Sequence, residues 1–220
     1  MIIHWLTQTL DDHPDLRRGV PPEGLLSGYE FDIFTHLKTD KRRRDWLLGR
    51  WTAKNLLQSI NGGKTPLDAI SIFNRPDGSP YCPEYPHYSL SISHSGDRAL
   101  VAVAQGGEIG VDIEHIEPRF PGFVDDYFTG SEQAMVYLSS DRDRLINAIW
   151  SAKESALKAI RAGLTLDARA VSCPIESPVA LDWTPFSVTY TEARHAKGWW
   201  RQEGEYVLTL VTLDKETQHD

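Results

Sequence analysis

Residues 142–162 read RDRLINAIWSAKESALKAIRA. Leu145, Ile146, Ile149, Trp150, Leu157 and Ile160 recur there at helical spacing and Gly163 follows as a stop, which predicts a helix with one apolar face. Upstream, residues 41–60 carry Trp46, Leu47, Trp51, Leu56, Leu57 and Ile60 at similar spacing and end at Gly62 and Gly63. A second helix of similar length is expected. Laid over one another, the two helices match Trp51, Thr52, Ala53 and Lys54 with Trp150, Ser151, Ala152 and Lys153. Each pair is identical or differs by one methyl group, the mark of an internal duplication.

Downstream of each helix, the run Tyr88, Ser89, Leu90, Ser91, Ile92 resembles Phe186, Ser187, Val188, Thr189, Tyr190 at almost the same distance. Leu100 to Ala104, Glu108 to Ile113 and Tyr206 to Leu213 are short alternating or β-branched runs bounded by glycine or charge, as strands are. The expected fold class is therefore α+β, with two similar lobes related by pseudo-twofold symmetry, each a helix packed on a small, mainly antiparallel sheet. Residues 1–108 form the expected N-terminal lobe with the basic helix, and residues 109–220 the C-terminal lobe.

The 220 residues are 40% hydrophobic and 25% charged, an ordinary globular composition that excludes a largely disordered chain. The start, Met1 to Asp12, lacks a basic segment followed by an apolar stretch, and no run approaches the length of a membrane helix; a cytoplasmic protein with no membrane partner is expected. Cys82 and Cys173 are far apart and each precedes proline, so neither disulfide nor zinc spacing is present. A net charge of -8 argues against general nucleic-acid binding, which needs many basic residues acting together. The basic run Lys41 to Arg44 is either a solvated helix face or a phosphate contact.

In the run Gly110, Val111, Asp112, Ile113, Glu114 strand alternation puts Asp112 and Glu114 on one face. Two carboxylates about 4 Å apart repel by roughly 4 kcal/mol at an effective dielectric of 20, so such a pair is either solvated or holds a cation. Glu154 stands in the second helix where Asn55 stands in the first, adding a third oxygen donor; such a set suits Mg²⁺, which leaves positions open to water and substrate phosphate. Lys158 follows Glu154 by one helical turn and shares its face, which is equally the pattern of an exposed ion pair. Ser91, Ile92, Ser93, His94, Ser95, Gly96 reads as a strand end whose loop could cup an anion.

The segments SISHSG, GVDIE, YFTGSE and WSAKESALK, in this order, resemble the Sfp-type 4'-phosphopantetheinyl transferases. The resemblance implies a monomer of two α+β lobes with coenzyme A between them, and transfer of the 4'-phosphopantetheine arm to a serine of an apo acyl or peptidyl carrier protein, releasing 3',5'-ADP. It also implies Asp112, Glu114 and Glu154 as ligands of a Mg²⁺ cofactor, Lys158 as a contact to the coenzyme A phosphates, and Ser93 and His94 near its 3'-phosphate. Glu154 is the expected proton acceptor from the carrier serine and Lys158 its catalytic companion, with Glu132 in reserve as base. Many relatives carry a basic residue between Gly78 and Pro80, where this chain has Ser79; Lys41, Arg43, Arg44 or Arg50 could supply the charge. The segment Phe120 to Val136, with Phe123, Tyr127, Phe128 and Met135, is the expected carrier surface or else a core-facing helix. Two other readings keep the same residues: a Mg²⁺-dependent nucleotide pyrophosphate hydrolase, and an inactive relative that only binds coenzyme A or carrier.

Overall fold

The computed structural model describes residues 1–162, 166–176, 180–191 and 196–214. The chain forms two compact units, residues 2–105 and 106–220. The expected boundary at residue 108 falls inside a strand that begins at Gly107 and belongs to the second unit.

In the first unit β1 (Ile2–Thr9) leads through the short helices α1 (Pro14–Arg18) and α2 (Gly28–Thr35) into the long helix α3 (Asp40–Ile60). Thr39 caps α3 by accepting from the Arg42 amide, and Asp40 sits in its first turn, where a negative charge suits the helix dipole. A small ribbon of β2 (Phe73–Asn74) and β3 (Pro80–Tyr81) precedes the hairpin of β4 (Tyr88–Ser95) and β5 (Arg98–Gln105). The main sheet has the order β1-β5-β4 and is antiparallel throughout. Leu56, Leu57 and Ala53 of α3 are buried with Leu90, Val101 and Val103 of the sheet.

The second unit repeats this plan. After β6 (Gly107–His115) come α4 (Phe123–Tyr127), α5 (Gly130–Leu138) and the long α6 (Arg142–Ala159). Three short strands follow, β7 (Val171–Ser172), β8 (Thr184–Phe186) and β9 (Thr189–Tyr190), then the hairpin of β10 (Ala196–Glu203) and β11 (Tyr206–Asp214). The sheet order is β6-β11-β10-β8, again antiparallel. Ala148, Ile149, Ala152, Ala156 and Leu157 of α6 join Val207, Val211 and Trp200 in its core.

Both units thus run strand, long helix, hairpin, with the first strand paired to the last. Each hairpin turns on two residues, Gly96 and Asp97 or Gly204 and Glu205, and both glycines are left-handed, with φ of 58° and 60°, as tight hairpin turns require. The duplication is real, but one expected correspondence is not. Residues 186–190 do not match residues 88–92: they are divided between β8, which pairs with β10, and β9, which pairs with β7 in a separate two-stranded sheet. The counterpart of β4 is β10. The link from helix to hairpin runs over residues 61–87 in the first unit and 160–195 in the second, so a constant offset cannot carry the alignment past the helices.

Candidate active site

Gly110, Asp112 and Glu114 lie on one face of β6 by strand alternation, and α6 rests on that face. A Cβ at Gly110 would stand 1.9 Å from the Ser155 carbonyl oxygen and 2.6 Å from the Ala159 nitrogen, so only glycine permits this approach of helix backbone to strand. The approach carries the last turns of α6 over the acidic strand. Lys158 Nζ donates to Asp112 Oδ1 at 2.7 Å and to the Val111 carbonyl at 3.1 Å. Glu114 is held from the other side, with Arg119 Nη2 2.9 Å from its Oε2. Arg119 Nε donates to Asn147 Oδ1 at 2.8 Å, and the fully buried Asn147 amide donates to the carbonyls of Glu117 and Asp143. The Arg119 guanidinium also lies 5.4 Å from the centre of the Phe123 ring.

The carboxylates feel one another. The Glu154 carboxyl is pushed up to about 7, first by burial, then by the charge of Asp112, with Glu114 adding and Lys158 opposing. Glu114 is raised as well, by burial and then by Asp112, against the pull of Arg119 and Lys158. Three carboxyl groups therefore share two side-chain cations in a partly dry setting. Among the described residues, no three His, Cys, Asp or Glu side chains are drawn together as a metal cluster: Lys158 holds Asp112 and Arg119 holds Glu114. The donor chemistry nonetheless fits a hard divalent cation, since all three groups offer carboxylate oxygens and their mutual repulsion is what such a cation relieves.

Glu132 is not available as a base, contrary to its expected reserve role. It is fully buried and forms an ion pair with Lys153 at 2.8 Å. Its carboxylate also accepts from the Thr129 and Cys173 amides at 2.8 and 2.7 Å, closing the capping box of α5. The first unit repeats the device: Glu30 closes the capping box of α2, accepts from the Ile72 amide at 3.2 Å and pairs with the buried Lys54.

In the first unit the sequence-derived contacts to coenzyme A separate. Arg50 is buried, its Nε 3.3 Å from Glu30 Oε1 and its guanidinium over the Trp46 ring, so it belongs to that interior ion pair and not to a phosphate-facing surface. Arg43 and Arg44 are half-buried in the first turns of α3, Arg43 donating to the Leu37 carbonyl at 3.0 Å. Lys41 pairs with Asp45 at 2.8 Å. Ser93 is buried and His94 exposed on β4. The expected anion-cupping loop is shorter than the motif suggested, because Ser91 to Ser95 are all strand and the turn is only Gly96 and Asp97. Ser79 hydrogen-bonds Asp77 through both its amide and its hydroxyl and brings no positive charge.

The 4'-phosphopantetheinyl transferase superfamily model matches residues 108–211, and the 4'-phosphopantetheinyl transferase N-terminal domain model matches residues 36–104. A holo-[acyl-carrier-protein] synthase of Streptococcus suis is 37% identical over 88 residues, which are 37% of this chain and 73% of that protein. The chain belongs to the 4'-phosphopantetheinyl transferase superfamily. Within it, the 4'-phosphopantetheinyl transferase psf-1 of Bacillus pumilus is 27% identical over 128 residues, 57% of this chain and 53% of that protein. This match spans about half the length of psf-1. A solved holo-(acyl-carrier-protein) synthase from Bacillus anthracis in complex with CoA (3',5'-ADP) aligns with a TM-score of 0.40 at 23% identity, covering 46% of this chain and 91% of the other.

Of the residues expected at the site, Lys158 contacts Asp112 directly, and Glu154 and Glu114 lie near enough to feel the Asp112 charge. Sequence reasoning missed Arg119 and Asn147, which sit between the segments GVDIE and WSAKESALK and carry no motif; their role appears only when the loop after β6 folds back onto α6. The carrier-surface segment also divides. Phe123 and Phe128 are core residues, whereas Phe120 exposes 55% of its surface; just past the segment's end at Val136, Tyr137 and Leu138 expose 51% and 88%. A cleft of about 330 Å³ lined by Met135, Leu138, Leu145, Ile175 and Trp200 opens beside Leu138.

Proposed function

We propose that the chain transfers the 4'-phosphopantetheine group of coenzyme A to a serine of an apo acyl or peptidyl carrier protein, releasing 3',5'-ADP. The observation that carries this reading is the Gly110 contact, which sets Glu154 and Lys158 of α6 over Asp112 and Glu114 of β6. In the reaction the serine oxygen bonds to the β-phosphorus, the bridge to the α-phosphate breaks, and 3',5'-ADP leaves. A Mg²⁺ ion held by Asp112, Glu114 and Glu154 would neutralise pyrophosphate charge. Glu154 accepts the serine proton directly or through water. Lys158, already beside the acidic strand, turns its ammonium to the phosphate charge that grows on the leaving group. Arg119 orients Glu114 and favours its ionised form against burial and the charge of Asp112.

Ser93, His94, Arg43 and Arg44 are the proposed contacts to the coenzyme A phosphates. The exposed Phe120, Tyr137 and Leu138 are the proposed carrier-facing surface. The protein is proposed to act as a monomer in the cytoplasm, without nucleic acid or membrane; no helix among the described residues is long and apolar enough to cross a bilayer.

The test is to incubate the pure protein with coenzyme A, Mg²⁺ and a panel of apo carrier proteins and to follow carrier mass. Gain of one phosphopantetheine, abolished by chelator and by Glu154→Gln, is the expected result. No gain on any carrier, or release of 3',5'-ADP without carrier, would overturn the proposal.

A further inference from the structure

Three buried hydroxyls meet beside the acidic strand. Thr209 of β11 stands directly opposite Asp112 in the β6–β11 ladder. Its hydroxyl donates to the Ser151 carbonyl at 2.8 Å and meets the hydroxyls of Ser151 at 2.8 Å and Ser155 at 2.6 Å; Ser155 also reaches the Thr209 carbonyl at 3.2 Å. With its proton given to the Ser151 carbonyl, Thr209 can accept from Ser151 and from Ser155, whose single proton is shared between the Thr209 hydroxyl and carbonyl oxygens. Ser151 and Ser155 flank Glu154 on α6 and are, like Thr209, fully buried.

The first unit shows that the packing itself does not need two of these groups. Aligning the hairpins on Gly96 and Gly204 sets Val101 opposite Thr209, and aligning the helices on Trp51 and Trp150 sets Leu56 opposite Ser155. Val101 and Leu56 are both buried in an apolar cluster. Hydroxyls replace this apolar pair in the unit that carries the carboxylates, although a buried hydroxyl left without a partner is destabilising. A complete hydrogen-bonded cluster, unlike an apolar contact, fixes one axial and rotational setting of helix on sheet.

We propose that Thr209 is a positioning residue whose hydroxyl, through Ser151 and Ser155, sets α6 so that Glu154 and Lys158 face Asp112 and Glu114; the role rests on the metal-dependent transferase reading. Mn²⁺ affinity of the full chain, read from the free-ion electron paramagnetic resonance signal, tests it alongside melting temperature. Thr209→Val, the first unit's residue, is expected to bind Mn²⁺ about tenfold more weakly, as partners that orient metal ligands do when removed. Thr209→Ser is expected to stay within about twofold of the wild type, and Ser155→Ala, the milder change should Thr209→Val fold poorly, to lose about threefold. Wild-type affinity in both Thr209→Val and Ser155→Ala, or equal losses in Thr209→Val and Thr209→Ser, would overturn the proposal. If the wild type takes up no Mn²⁺, the metal reading fails instead. The positioning role is then decided by crystal structures of the two Thr209 variants: a Lys158–Asp112 hydrogen bond that is broken with valine and intact with serine supports it, and one that is intact in both overturns it.

Discussion

The same face of the same scaffold is neutral in one unit and charged in the other. With the hairpins and helices aligned, Leu6 and Gln8 of β1 stand where Asp112 and Glu114 stand on β6, and Asn55 and Ser59 of α3 stand where Glu154 and Lys158 stand on α6. Asn55 donates to the Trp51 carbonyl at 2.8 Å and reaches Gln8 at 3.5 Å, an amide contact in place of a carboxylate cluster. What both units keep is the buried lysine on its capping-box glutamate, Lys54 on Glu30 and Lys153 on Glu132. The shared lysine of the duplicated helix motif therefore belongs to the architecture, and the carboxylates found in one copy alone are the groups proposed to carry the chemistry.

The largest effects should fall on what the units share. Lys153→Met strands a fully buried glutamate and should destabilise its unit by about 3–5 kcal/mol in urea unfolding, and Lys54→Met, which leaves Glu30 with Arg50 as its one cation, should cost about 2–4 kcal/mol. Tolerance of one and not the other would break the structural equivalence of the two pairs. The glycines should come next. Gly110→Ala drives a methyl group into the α6 backbone and should cost about 2–3 kcal/mol together with most of the activity, whereas Gly49→Ala in α3 meets only the Ile92 Cγ2 at 3.2 Å and should change stability by less than about 1 kcal/mol.

Much of this contrast is legible in the sequence. The two helices, the pairing of Trp51 to Lys54 with Trp150 to Lys153, and the shared face of Asp112 and Glu114 follow from periods of 3.6 and 2. The β1 strand escapes a reading that weighs the N-terminal stretch only as a leader, although its residues Ile2, Ile3, Trp5 and Thr7 are strand formers. Glu132 reads as a spare carboxylate unless Thr129, three residues before it, is taken with it as a capping box. The Arg119–Asn147 link has no signal at all, since a hydrogen bond between residues 28 positions apart depends on how a loop returns to a helix.

A smaller effect follows from pH. Glu154 titrates near 7 in the folded protein, against an ordinary value of 4.5, so the metal-free native state binds a proton that the unfolded chain has released. Its stability contribution is present below about pH 4.5 and is lost as pH rises to about 7, and Glu114 acts in the same direction. With metal removed, Glu154→Gln should therefore be more stable than the wild type by about 1–3 kcal/mol at pH 8, with the gap closing toward pH 5; urea midpoints at the two pH values measure it. The smallest effect belongs to the exposed apolar residues. Phe120→Ser and Leu138→Ser should leave stability within about 0.5 kcal/mol while raising the KM for carrier.

The most direct test compares transfer rates, followed by carrier mass, for matched substitutions in the two units. Asp112→Asn, Glu154→Gln and Lys158→Met should each lower the rate at least about a hundredfold, and Gln8→Ala, Asn55→Ala and Ser59→Ala should stay within about threefold of the wild type. A first-unit variant as damaged as its second-unit counterpart, or a second-unit variant that keeps its rate, would contradict the assignment of the chemistry to the charged face.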